Sequence, residues 1–191
     1  MHSRTFGRIG AALAGAAIST LAFAGTAHAA AKTISVPDDF NPAYGDTRAT
    51  GHYQVQGTGL HVWTEGATST DKVAEYVDTS TPLADAGEPM LNYTVNSGTI
   101  PPGFQLVVDF DGNGSADGIL VGEPTYYGND WWASNGSAQF VKDGAPSHTG
   151  GSGSDNHGTL DQWRAAFPDA EVLAFGFSLG SGVKGDYLIN S

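Results

Sequence analysis

The 191-residue sequence contains no cysteine, which excludes disulfides, thiolate metal sites and cysteine nucleophiles. Exported eukaryotic domains of this size usually carry disulfides, so an exported chain without them points to a bacterial protein. Basic residues are also scarce: eight Lys and Arg stand against twenty Asp and Glu, a formal charge of −12. That balance argues against nucleic acid and anionic membrane surfaces as partners, because both would be repelled. Long apolar runs are missing too, apart from one near the start of the chain.

That run reads as part of a secretory signal. Arg4 and Arg8 supply a positive start, Ile9 to Phe23 is small and apolar, and Ala27-His28-Ala29 supplies the small residues a signal peptidase reads. The run falls short of the ~20 residues that span a bilayer. Residues 1–29 are therefore expected to be removed and residues 30–191 to form a single secreted domain. Losing Arg4 and Arg8 leaves six basic residues against twenty acidic ones, a charge of −14.

Gly is abundant, at 27 residues, and helix-period patterns are nearly absent, which indicates many strands joined by tight turns. Strands are expected at Thr33–Val36, His52–Gln56, Leu60–Thr64, Lys72–Val77, Met90–Val95, Phe104–Phe110, Ile119–Val121, Trp131–Trp132, Ala138–Val141, Val172–Phe177 and Tyr187–Ile189. The Gly/Ser-rich stretch 144–158 reads as a mobile surface loop. One helix is expected at 159–167, opened by a Thr159/Gln162 capping box and stopped by Pro168. The fold class is thus mainly all-β, an antiparallel β-sandwich or jelly roll with one short helix. The chain ends two residues after Leu188-Ile189, which suits an edge strand or a product shorter than its relatives.

The sharpest chemical signal is Asp109-Phe110-Asp111-Gly112-Asn113-Gly114-Ser115-Ala116-Asp117. Asp109, Asp111, Asn113 and Asp117 place oxygens at loop positions 1, 3, 5 and 9, with Gly114 at the sharp turn and Ser115 able to offer its carbonyl. Hard cations want six to eight oxygens, and this spacing wraps one ion. Calcium is the expected cofactor, in a structural role. Leu120 replaces the Glu that closes an EF-hand loop, and strands rather than helices flank it.

The loop resembles the calcium turn of FG-GAP and VCBS repeats over about sixteen residues, from Val108 to Pro124. Those families build propellers from repeated copies, and a single copy carries no such fold. More broadly, residues 50–190 resemble a group of uncharacterised secreted actinobacterial proteins, through Pro101-Pro102-Gly103, Leu120-Val121-Gly122-Glu123-Pro124, Gly158-Thr159-Leu160-Asp161-Gln162-Trp163 and Gly176-Phe177-Ser178-Leu179-Gly180-Ser181-Gly182. That resemblance implies a secreted β-domain and no known activity.

Tyr126, Tyr127, Trp131 and Trp132 cluster within seven residues, a candidate platform for sugar rings. Adjacent Trp131 and Trp132 on a strand face opposite ways, so one of them should be core. Gly176-Phe177-Ser178-Leu179-Gly180 matches a hydrolase elbow but lacks the following helix and a later histidine. His52, His61, His148 and His157 lack zinc-site spacing and read as scattered surface residues. Glu65, Glu75, Glu88, Glu123 and Glu171 could serve a glycoside hydrolase, yet no local spacing announces a pair. The expectation is a secreted, calcium-stabilised binding or structural module, with an extracellular polysaccharide or a secreted protein as partner. A glycoside hydrolase and a protein-interaction or inhibitor domain are the alternatives.

Overall fold

The computed structural model describes residues 33–146 and 154–190. The expected leader, residues 1–29, and His148 lie outside the described residues. From Ile34 onward the chain forms one compact unit. Among the described residues, no helix is long and apolar enough to cross a membrane.

Alternating sequence makes alternating faces, and turns made of Gly and Pro decide where strands meet. β1 (Gly51–Gln56) and β2 (Gly59–Thr64) form a hairpin across Gly57, whose φ of 63° suits glycine. With β10 (Asp186–Ile189) and β4 (Tyr93–Ser97) they make a four-stranded antiparallel sheet in the order β1-β2-β10-β4. The final strand is therefore interior, not an edge. The edges are β1 and β4, and the residues of β4 are all exposed. A six-stranded sheet runs β3-β9-β5-β6-β7-β8, from β3 (Lys72–Pro82), β9 (Glu171–Gly180), β5 (Gly103–Asp109), β6 (Gly118–Gly122), β7 (Trp131–Ala133) and β8 (His157–Gly158). The architecture is an all-β sandwich.

The six-stranded sheet buries its two faces differently. One face carries Leu106, Val108, Leu120, Trp131, Ala133 and Val172, packed beneath Leu160 and Trp163 of α3 (Leu160–Ala166) and Val141 of α2 (Gln139–Gly144). Farther along that face, Val73, Phe177 and Leu179 pack against Val62, Tyr187 and Ile189 of the smaller sheet. Among the described residues, the opposite face carries a smaller cluster, Ala74, Tyr76, Val107 and Ala174, partly covered by Tyr44. The segment carrying Tyr44 follows the free edge of β3 through bridges at Phe40–Val77 and Arg48–Lys72.

Several local expectations change. Thr33–Val36 forms no strand, and the first bridge is at Phe40. The strand expected from Met90 begins at Tyr93, and Met90 is 82% exposed. Ala138–Val141 leads into helix α2: Ala138, Val141 and Ala145 all reach the core, a spacing of three and four that four residues alone cannot distinguish from a strand. A further short helix, α1 (Pro124–Tyr127), starts on Pro124, whose fixed φ suits the first helical position. The expected helix does form as α3, and its Thr159/Gln162 capping box is present in both directions.

Trp163 is fully buried, and its indole N–H donates to the Trp131 carbonyl at 2.9 Å. Trp163→Ala should therefore cost about 3–5 kcal/mol in urea unfolding, whereas Thr159→Ala, which removes only the cap, should cost about 1 kcal/mol.

Candidate functional site

The β5–β6 hairpin holds both features of interest, one at its loop and one on its outward face. At the loop, carboxylate oxygens of Asp109, Asp111 and Asp117 all lie within 4.8 Å of one another. Local hydrogen bonds aim them. Asp109 Oδ1 accepts from Gly112 N at 2.8 Å and its Oδ2 from Gly114 N at 2.6 Å. Asp117 Oδ2 accepts from Phe110 N at 2.8 Å, which closes the loop. Asp111 Oδ1 and Asn113 Oδ1 accept from Asn113 N and Ser115 N, at 3.1 and 2.8 Å. Gly112 and Gly114 have φ of 74° and 86°, so the tight path requires glycine at both.

Asp109 is buried, Asp117 half-buried and Asp111 exposed. Burial raises the Asp109 carboxyl, but backbone N–H groups of Gly114, Gly112, Asn113 and Asp111 outweigh it and hold the group below its ordinary value. Three carboxylates offering oxygen alone suit a hard cation, so this cluster could hold a metal ion.

The second feature is a cleft of about 370 Å3 on the sparsely covered face of the six-stranded sheet. Register brings its residues together: Gln105 lies opposite Val121, and Val121 opposite Trp132. Glu123 follows two residues after Val121, and its Oε2 accepts from the Trp132 indole N–H at 3.0 Å. Tyr127, on α1, stacks on Trp132 with ring centroids 5.8 Å apart and planes at 24°. Tyr126, Lys72 and Ser178 also line it. Lys72 Nζ is paired with Asp46 at 2.8 Å. Burial pushes the Glu123 carboxyl above its ordinary value, an effect partly offset by the Trp132 hydrogen bond and the Lys72 charge.

The four aromatic candidates do not form one platform. Tyr126, Tyr127 and Trp132 line the cleft, whereas Trp131 is 5% exposed and belongs to the core on the other face. What little Trp131 exposes borders a different groove, of about 770 Å3, beside Met90, Tyr93, Pro102 and Phe104. The pleat of β7 makes this division.

The histidines also differ from the surface reading. His157 is buried in β8, with Nδ1 at 2.9 Å from Asp130 Oδ2, and His61 Nε2 sits 2.7 Å from Asp186 Oδ1. Ser178 lies inside β9 and donates to the Gly180 carbonyl at 3.2 Å, so the hydrolase elbow has no helix to build on. Gln105, Lys72 and Ser178 were not foreseen as site residues. The available signal was one glutamine within the apolar run Phe104–Phe110.

No family model, curated protein or solved structure matches this chain.

The two perturbed carboxyls give opposite pH slopes. Asp109, lowered in the native state, contributes stability that is present above pH 3.8 and lost as pH falls through its native value. Glu123, raised, contributes stability that is present below pH 4.5 and lost as pH rises through its native value. In metal-free urea titrations across pH, Asp109→Asn should lose the first component and Glu123→Gln the second. Two variants with the same slope as wild type would contradict the assignments.

Proposed function

We propose that this chain is an exported binding module, stabilised by calcium in the 109–117 loop, that holds an extracellular glycan in the cleft beside Trp132 and Tyr127. The observation that carries the reading is the cleft itself. It places a stacked aromatic pair beside a carboxylate, an amide and an ammonium, the mixture that sugar rings engage through ring contacts and hydroxyl hydrogen bonds.

Calcium fits the all-oxygen loop, with Asp109, Asp111, Asn113 and Asp117 contributing side chains and Ser115 its carbonyl. Its role is to fasten the loop end of the β5–β6 hairpin. Gln105 lies four residues from Asp109, about 13 Å along an extended strand, so the ion is a brace for the cleft and not a part of it. Export is supported by the leader-like segment at residues 1–29.

Binding is favoured over hydrolysis because Glu123 is the one carboxylate among the cleft's described lining residues. Glycoside hydrolysis in its usual form needs two carboxyls flanking the bond.

Calcium at about 100 times its Kd should stabilise the wild type by about 2.7 kcal/mol relative to excess chelator, and Asp111→Ala should abolish that gain. In an affinity gel, the double variant Tyr127→Ala and Trp132→Ala should lose polysaccharide retention while keeping its fold. Retention that survives both changes would remove the glycan reading.

A further inference from the structure

We infer that the cleft selects uncharged, hydroxyl-rich sugars and turns away acidic ones, with Glu123 and Gln105 as the specificity-determining pair. The inference rests on the glycan reading above and adds the chemical class of the ligand.

The hydrogen-bonding polarity of the cleft is set from behind. Glu123 is acceptor-only when ionised. One of its oxygens is held by the Trp132 indole N–H at 3.0 Å, so Oε1 is the oxygen left to a ligand. Gln105 is oriented in the same way. Its Oε1 accepts from the Tyr76 hydroxyl, which turns the amide NH2 into the group available to a bound molecule. Tyr76 is 1% exposed, and burial raises its hydroxyl above the ordinary value, so it remains a donor at every physiological pH. Two fixed side chains therefore offer an acceptor and a donor in one cleft. Hydroxyl groups, each able to donate and accept, can use both at once.

Charge decides against anionic ligands. Lys72 is the one cation among the cleft's described lining residues, and it is held at 2.8 Å by Asp46, which also pairs with Arg48. Glu123 is the one acid among those residues, and the Lys72 charge offsets it only in part. A uronate or sulfate entering the cleft would meet a partly desolvated carboxylate, with like charges at close range in a low dielectric. The formal charge of −12 on the whole chain adds repulsion at longer range. Trp132 serves orientation as well, because its committed N–H fixes the ring that Tyr127 stacks on.

Calorimetric titration in millimolar calcium tests this with four probes: cellohexaose, xylohexaose, mannohexaose and hexagalacturonate. Wild type should bind at least one neutral oligosaccharide more than tenfold tighter than hexagalacturonate. Glu123→Gln should weaken that neutral ligand about tenfold and narrow its lead over the uronate to within threefold. Tyr76→Phe, which frees the Gln105 amide to rotate, should weaken the neutral ligand several-fold and leave the uronate unaffected.

A uronate that binds wild type as tightly as the neutral sugars overturns the inference and leaves the glycan reading standing. So does a folded Glu123→Gln protein with unchanged affinities. Absence of binding to all four probes overturns both. The wild-type comparison needs no variant, so a substitution that fails to fold cannot shield the proposal.

Discussion

The structure depends on strands β5 and β9 being largely buried on both faces and lying side by side in the interior of the six-stranded sheet. Five residues of β5, from Gln105 to Asp109, are buried without interruption. A strand of that kind is stable only if both of its surfaces are covered. One surface is covered generously, by α2 and α3 over one part and by the smaller sheet over the rest. Among the described residues, the other is covered by the segment that carries Tyr44 and, over Trp132, by Tyr127 of α1. Among the described residues, the cleft lies where this second cover stops short.

That asymmetry explains how side chains normally kept apart come to share a site. Gln105 and Glu123 sit where apolar partners run out, and each has a dedicated donor behind it, Tyr76 and Trp132. Such bonds offset the cost of burying polar groups and also fix which atom faces outward. The acidic loop applies the same economy of geometry at the end of the hairpin, where backbone N–H groups hold the Asp109 carboxylate ready and charged. A hairpin tied at its tip holds its strands in register, and register is what aligns Gln105 with Val121 and Trp132.

Much of the fold was legible in the sequence wherever the pattern was long or chemically marked. The hairpin at 51–64, the apolar strands 103–109 and 118–122, and the capped helix at 160–166 all follow from local signals. Misreadings came in short segments. Four residues ending at Val141 fit a strand and a helix equally well, and only contact with the core selects the helix. His157 sits in a run of Gly and Ser that looks like solvent-facing loop, yet two residues of pairing with β7 suffice to bury it. Tyr126, Tyr127, Trp131 and Trp132 were legible as a cluster with its tryptophans on opposite faces, but which face becomes core was not.

By itself the sequence determined the class of the fold and the oxygen-rich loop, because strand alternation and turn chemistry are local and need no partner. It also determined that one of the paired tryptophans must be core, since the pleat allows nothing else. Which tryptophan that is, where β10 lies, and that Gln105, Glu123, Lys72 and Ser178 meet were decided only by tertiary structure. Those residues lie on four different strands or strand ends. Their meeting depends on strand order and on which face is left uncovered, and both are set by long-range packing that no local pattern encodes.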